Sequence, residues 1–339
     1  MELLLGLASG SLSRFWNIEE INHGETYTIP ELVDIDLRKR LSFYEKNRIN
    51  YKCDLVPKSL KEVSAWIISF PGPRLIIANT VQNAAIITDF FNKKYGKSKV
   101  EHLSTALTPF DRDKTVDRIK ERLNDKSDAN WTLIATSCVE AGIDVSFRTG
   151  FRELSSLLSL LQTAGRVNRG GIYDNSEIWT FKLKETDNFN SNPELQISRT
   201  ILQKYFEKDI DITPELSTES IDEEIKERGA SLTFKKILAH EKSQRFPKVE
   251  EMFKVINTDT KLVITNREII NDIKSHNRVS WQDIQKHSVR IYGYNLEKYA
   301  VEEFLPDMYK WTLDYDDFLG IMAGALIVIK TIKGEGLIA

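Results

Sequence analysis

Residues 74–80, Arg-Leu-Ile-Ile-Ala-Asn-Thr, place an unbroken apolar run directly before two polar residues. A short apolar run that ends in turn-forming residues is typical of a strand buried on both faces of a parallel sheet. The residues that follow have apolar side chains at helical spacing, namely Ala84, Ala85, Ile86, Phe90 and Phe91. This stretch therefore predicts a strand followed by an amphipathic helix, the first half of a βαβ unit.

The same alternation continues as far as Lys184. Further strands are expected at Val100 to Leu103 and Trp131 to Thr136, with a helix that begins at Pro109 between them. Two more strands are predicted, at Ile143 to Phe147 and Ile178 to Phe181, on either side of a leucine-rich helix from Leu154 to Val167. The pattern predicts an α/β fold with a RecA-like parallel sheet.

The pattern breaks after Lys184 into a polar stretch and then into charged helices. We predict a RecA-like domain over residues 36–190, a helical linker over 191–250 and a small mixed α/β C-terminal domain over 251–339. In the last domain, short strands are expected at Lys261 to Thr265 and Ser288 to Tyr292, with a helix at Arg267 to Ser275. No internal repeat is evident.

The composition sets broad limits on function. Lys and Arg number 47 against 50 Asp and Glu, so any nucleic-acid binding must come from a local groove. Cys53 and Cys138 lie far apart without metal-ligand spacing, which favours a reducing, cytoplasmic compartment. The apolar start at residues 3–8 is too short to span a bilayer, so no membrane association is expected.

The strongest chemical signal is Gln162-Thr163-Ala164-Gly165-Arg166-Val167-Asn168-Arg169 at the end of the leucine-rich helix. Arg166 and Arg169 lie one helical turn apart and project to the same side, an arrangement suited to phosphate. An arginine supplied by a neighbouring domain can neutralise charge on a transferred phosphoryl group, and Gln162 could hold the nucleotide or a water. The alternative is a solvated helix end on which two cations favour the helix dipole.

Polar residues also follow each predicted strand, at the edge where α/β sheets bind ligands. Candidates for contacts to nucleic-acid phosphates are Thr80, Gln82, Ser104, Thr105 and Thr136. Gly142 and Asp144 are candidates for nucleotide binding, with Asp144 accepting from a ribose hydroxyl. The alternatives are an ordinary turn at Gly142 and Asp144 and a helix N-cap at Thr80.

In order, these segments resemble motifs IV, IVa, V and VI of superfamily 2 helicases, and especially the helicase-nuclease of type I CRISPR systems. Further features similar to that family are Ser9-Gly10-Ser11, Arg14-Phe15-Trp16, Asp111-Arg112, Gly150-Phe151-Arg152-Glu153 and Tyr309 to Gly320. The resemblance implies that residues 36–190 are the second helicase domain and residues 1–35 the tail of a truncated first one. It also implies that Arg166 and Arg169 contact nucleotide phosphates, that Asp144 contacts the ribose, and that Thr80, Ser104 and Thr136 contact the strand.

A helicase of this class also needs a phosphate-binding loop and an acidic pair for magnesium. Gly96-Lys97-Ser98 imitates the end of that loop but is expected to be a turn, and Asp222-Glu223-Glu224 a solvated helix face. The five histidines are scattered, so no metal site is predicted. ATP is therefore expected to be shared with a missing first domain, which would also supply Mg²⁺.

The expected partners are single-stranded DNA, a polypeptide that carries the first RecA-like domain and possibly the nuclease, and the CRISPR surveillance complex. On this hypothesis the chain is an ATP-dependent helicase only when completed, and enzymatic activity of the chain alone is an open question. Another superfamily 2 translocase and a non-catalytic strand-binding or complex-binding module are the alternatives.

Residues 274–298 combine five Lys or Arg with interleaved aromatic side chains. This composition suits a channel that holds a strand by charge and stacking. An ordinary half-exposed surface with core aromatics is an equal alternative.

Overall fold

The computed structural model describes residues 34–140, 142–185, 188–228, 230–252 and 260–332. The first unit contains six strands, β1 (Asn50–Lys58), β2 (Arg74–Ile77), β3 (Val100–Leu103), β4 (Thr132–Ala135), β5 (Thr149–Glu153) and β6 (Glu177–Leu183). Its helices are α1 (Ile35–Arg48), α2 (Leu60–Ile68), α3 (Val81–Tyr95), α4 (Pro109–Asn124) and α5 (Leu157–Ala164). The expectations that fall on residues 1–33, among them residues 9–11 and 14–16, lie outside the described residues.

All neighbouring strands of this sheet pair in parallel, in the order β1-β6-β5-β2-β4-β3. Side chains alternate between its two faces. Ile76 packs toward α2 and α3, whereas Leu75 and Ile77 pack on the α4 side with Trp131. The predicted α/β class with a parallel sheet is confirmed.

The predicted strand at Ile143 to Phe147 is wrong, because the strand lies at Thr149–Glu153. Residues 143–146 are irregular, and Phe147 forms an isolated bridge to Val167 instead of joining the sheet. Buried Arg152 and Glu153 broke the apolar pattern by which a central strand is recognised. Strand β1 was not predicted either, because it is an edge strand whose Lys52, Asp54 and Pro57 conceal the alternation.

Helices follow the sheet, namely α6 (Gln196–Glu207), α7 (Leu216–Glu227), α8 (Ala230–Lys242) and α9 (Phe246–Met252). The first of these helices buries Ile201, Leu202 and Tyr205 with leucines of α5 and with Ile178 of β6. Helix α6 thus packs beside α5 against β1 and β6. The domain boundary placed at residue 190 stays a prediction.

A second, mixed sheet follows in the order β8-β7-β10-β9, made of β7 (Thr260–Ile264), β8 (Ser288–Tyr292), β9 (Glu302–Leu305) and β10 (Met308–Lys310). Three helices accompany it, α10 (Arg267–Lys274), α11 (Trp281–Lys286) and α12 (Met322–Ile332). One face of the sheet carries α10 and α11. The other face, through Val263, Ile291 and Trp311, shares a core with α3 and α12, so both sheets pack into one body.

Candidate functional site

The segment Arg166–Arg169 forms a loop pinned to the residues that precede β5. The Phe147 backbone N–H donates to the Arg166 carbonyl at 2.9 Å, and the Asn168 N–H donates to the Phe147 carbonyl at 2.7 Å. Asn168 adopts a left-handed φ of 47°, which asparagine tolerates better than most residues. These two bonds fix the arginine segment against residues 144–147, so two sequence-predicted motifs form one structural unit.

Arg48, at the end of α1, holds this loop from behind. Its buried guanidinium donates to the carbonyls of Ala164 and Val167, which satisfies groups left open where α5 ends. The Asn168 amide returns a bond of 2.8 Å to the Arg48 carbonyl. Sequence reasoning missed Arg48, because a basic residue at the end of a charged helix carries no sign of burial.

Arg169 lies beside Asp144 at the surface, and the two side chains form a salt bridge although they are 51% and 86% exposed. Arg166 is half-buried and donates to the carbonyls of Val139, at 3.2 Å, and Glu140, at 2.5 Å. Burial, and next the nearby Arg169, lower the pKa of Arg166. Gln162 is exposed on the last turn of α5. The structure therefore brings Arg166, Arg169 and Asp144 to one surface.

Gly142 precedes Asp144 and has a φ of 77°, which glycine adopts without strain. A Cβ at this position would meet no atom within 4 Å, so its backbone is open to solvent or to a ligand. Within the residues that the structure describes, no group of three His, Cys, Asp or Glu side chains forms a possible metal site.

The predicted strand-binding residues lie at the ends of β2, β3 and β4, but most of their side chains have partners within the chain. Thr80 caps α3 by accepting from the Asn83 N–H at 3.0 Å, the alternative considered for it above. Gln82 is buried and bonds to the Asn188 carbonyl and the Asn190 amide. Thr136 donates weakly to the Cys138 thiol at 3.4 Å.

Ser104 is buried and bonds to His102 Nε2 at 2.9 Å, whereas Thr105 beside it is exposed. His102 also contacts Thr88 Oγ1 at 3.1 Å. Burial lowers the pKa of His102 to about 4, so this ring is neutral at physiological pH. Strand binding by these residues stays a prediction, with Thr105 the most accessible of the five.

A buried polar cluster, which the sequence did not predict as a site, joins the ends of β2 and β5. Arg152 donates to the Asn79 side chain at 2.8 Å and lies 3.7 Å from Glu140. Glu153 accepts from the Asn79 N–H at 2.7 Å and from the Asn83 amide at 3.2 Å. Burial raises the pKa of both carboxyls and lowers that of Arg152.

This cluster links the arginine segment with the loop between β2 and α3. Glu140 supplies a carbonyl to Arg166 and a carboxylate to Arg152, and Arg152 holds the residue that begins the β2 to α3 loop. The adjacent charges of Arg152 and Glu153, directly before an apolar helix, were the signal in the sequence that could have revealed this cluster. Charged residues are rarely buried unless they are paired. Beside Glu153 opens a cleft of about 520 Å³ whose lining includes Asn83, Lys182, Ser191, Arg199 and Gln203.

Comparison with known proteins shows which family this region resembles. The family model described as the C-terminal part of the CRISPR-associated nuclease/helicase Cas3 matches residues 72–171, which run from the turn before β2 through the arginine segment. Residues 72–171, here called the Cas3-like domain, are similar to the C-terminal part of Cas3. The match ends just after Arg169, so Asp144, Arg152, Glu153 and Arg166 all fall inside the Cas3-like domain.

Among curated relatives, the Cas3 nuclease/helicase of Methanothermobacter thermautotrophicus is 25% identical over 269 residues, which make up 72% of this chain and 31% of that protein. The crystal structure of T. fusca Cas3 with AMPPNP superposes with a TM-score of 0.55 at 12% identity, over 89% of this chain and 42% of that one. A chain in a CRISPR RNA-guided surveillance complex, pre-nicking, superposes with a TM-score of 0.52 at 13% identity. The superposition covers 88% of this chain and 43% of that one.

The chain thus spans about a third of the length of the curated relative. The structural matches confirm the RecA-like fold around the Cas3-like domain. No helix within the described ranges is long and apolar enough to cross a membrane.

Proposed function

We propose that this chain supplies one wall of the ATP site of a CRISPR-associated superfamily 2 DNA helicase and part of its single-strand track. The observation that carries the proposal is the pairing of exposed Arg169 with Asp144, on a loop that two backbone hydrogen bonds hold to Phe147. An exposed arginine held in place at a rigid edge can stabilise charge on a phosphoryl group that another domain presents.

In this proposal ATP lies between the Cas3-like domain and a first RecA-like domain on another polypeptide or segment, which also binds Mg²⁺. Arg169 and Arg166 contact the phosphates, Asp144 and the Gly142 backbone contact the nucleoside, and Gln162 orients the water or nucleotide. The strand crosses the ends of β2, β3 and β4 near Thr105, Thr80 and Thr136. The CRISPR surveillance complex is the proposed assembly partner, supported by the structural likeness to a chain in a CRISPR RNA-guided surveillance complex.

The proposal predicts how ATPase activity depends on Arg169. DNA-stimulated ATP hydrolysis is measured for this chain alone, with an added first-domain polypeptide, and with Arg169→Ala in that mixture. We expect no activity alone, activity in the mixture, and a loss of about 10³-fold or more with Arg169→Ala, the range for an arginine finger.

The matched control is Arg245→Ala, an exposed arginine between α8 and α9, which should support full activity. Hydrolysis by the chain alone would contradict the idea of a shared site. Strand binding in a mixture that shows no hydrolysis would instead identify a non-catalytic binding module.

A further inference from the structure

The second sheet presents an exposed aromatic pair at its edge. Strand β8 is the edge strand, and the rings of Tyr292 and Tyr294 stack with centroids 5.4 Å apart and planes 16° from parallel. These side chains are 47% and 77% exposed. A stacked pair that leaves an outer ring face in water resembles a surface on which another flat ring can add.

The backbone holds this pair in place. Tyr292 is the last residue of β8, and Tyr294 lies in the short 3₁₀ turn at Gly293–Asn295 that follows it. The Leu296 N–H donates to the Gly293 carbonyl at 3.2 Å, and the Val301 N–H donates to the Leu296 carbonyl at 2.9 Å. On the opposite side of β8, Ile291 is buried in the shared core. The rings therefore stand on a turn anchored at both ends.

A free cation lies next to the rings. Arg290 is exposed on the same face of β8 as Tyr292, and within the described part of the chain its guanidinium has no hydrogen bond or ion pair. Lys286, at the end of α11, is also exposed. One carboxylate, Glu297, follows on the turn. Stacked aromatic rings beside an unpaired arginine are the elements from which sequence-tolerant binding of single strands is built.

We propose that Tyr292 and Tyr294 form a base-stacking platform for single-stranded DNA, with Arg290 binding the adjacent phosphate. This inference rests on the proposed function for the choice of ligand and adds a second strand-binding site outside the Cas3-like domain. The platform takes bases of any sequence, because every base has a π-face, and it excludes duplex DNA, whose bases are already stacked.

The test measures binding of a fluorescein-labelled oligothymidine to the full chain, without ATP or any added domain. The double variant Tyr292→Ala/Tyr294→Ala should weaken binding about tenfold, whereas Tyr292→Phe/Tyr294→Phe, which keeps both rings, should bind within about twofold of the parent. An abasic strand of equal length should bind the parent more weakly and should not distinguish the alanine variant from it. A strand carrying iodouracil should cross-link to Tyr294 or Tyr292 on irradiation.

Equal affinity of the parent and the alanine variant, or cross-links confined to other regions, would overturn the platform. Near-ultraviolet circular dichroism of the variants checks that the exposed rings were removed without unfolding the sheet. At saturating DNA the alanine variant should retain Arg169-dependent ATP hydrolysis in the two-component mixture. The binding assay therefore tests the platform without testing the shared ATP site, and the ATPase assay tests the ATP site without testing the platform.

Discussion

At the scale of single residues, the loops at the strand ends depend on polar groups that have no access to water. Arg152 lies between Glu140 and Glu153, and His102 lies between two hydroxyls. Such groups are tolerated because each is paired, and removing one partner leaves the other buried and unsatisfied. The buried residues thus determine where the exposed Arg169 and Thr105 are held.

His102 makes the stability of the chain depend on pH. Its pKa falls from 6.5 to about 4 on folding because burial disfavours the charged ring. Below pH 6.5 the unfolded chain takes up a proton that the folded chain does not, so stability present above that pH is lost as pH falls toward 4. A shift of this size corresponds to about 3 kcal/mol.

Urea unfolding at several pH values should show this loss between pH 6.5 and 4 in the parent chain and a smaller loss in His102→Gln. The exposed His276→Gln serves as the control and should keep the slope of the parent. Parallel pH profiles for the parent and His102→Gln would disprove the role of His102.

At the scale of elements, the arginine segment packs closely on strand β5 because Gly150 has no side chain. A Cβ at Gly150 would lie 2.5 Å from Val167 Cγ2 and 3.3 Å from Ile178 Cγ1. Val167 is fully buried and forms the bridge to Phe147. Gly150 therefore sets how closely the arginine segment approaches the sheet.

Gly150→Ala should lower the free energy of unfolding by about 1 to 3 kcal/mol, the usual cost of overpacking. Adding Val167→Ala removes the methyl group that clashes, so the double variant should be more stable than the sum of the two single changes predicts. Urea denaturation of all four proteins gives the coupling. Strict additivity would show that Val167 does not cause the strain.

Some of these elements could be located from the sequence and others could not. The main obstacle was charged side chains that are buried in the fold. Strands β2, β3 and β4 were located from the βα alternation, although β3 buries Glu101 and His102, and helix α4 was located from Pro109 and its apolar spacing. Strand β5 was misplaced and Arg48 was missed, because a charge buried by pairing looks like a surface charge in sequence. The contact of Asp144 with Arg169 depends on how the loop 142–147 folds, which no local pattern specifies.

At the scale of the whole molecule, the C-terminal unit is fastened to the loop that follows β3. Tyr315 donates to Asp111 Oδ2 at 2.5 Å and accepts from the Thr108 N–H at 3.1 Å. The Ile321 N–H donates to the Ala106 carbonyl at 3.1 Å. Burial, and next the bond to Asp111, raise the pKa of Tyr315, so the hydroxyl stays protonated. The accessory unit thereby holds the loop that contains Ser104 and Thr105.

Tyr315→Phe should cost about 1 to 3 kcal/mol, because it removes a hydrogen bond to a partly buried carboxylate. Hydrogen exchange should quicken at the Ile321 and Thr108 amides, which lie at the junction of the two units. Tyr309→Phe, at a half-buried tyrosine of β10, is the matched control and should change neither quantity. Equal effects of the two variants would mean that Tyr315 does not fasten the units.

Helix α12 covers α3, and this contact has a consequence for synthesis of the chain. The two helices are separated by about 230 residues, which a ribosome adds in about 10 to 50 s. Until α12 is made, the side of α3 that it covers stays exposed, and strands β3 and β4, against which α3 also packs, are themselves synthesised after α3. A nascent chain of this protein therefore exposes an apolar surface for enough time that a chaperone can bind it. Slower translation would lengthen that exposure.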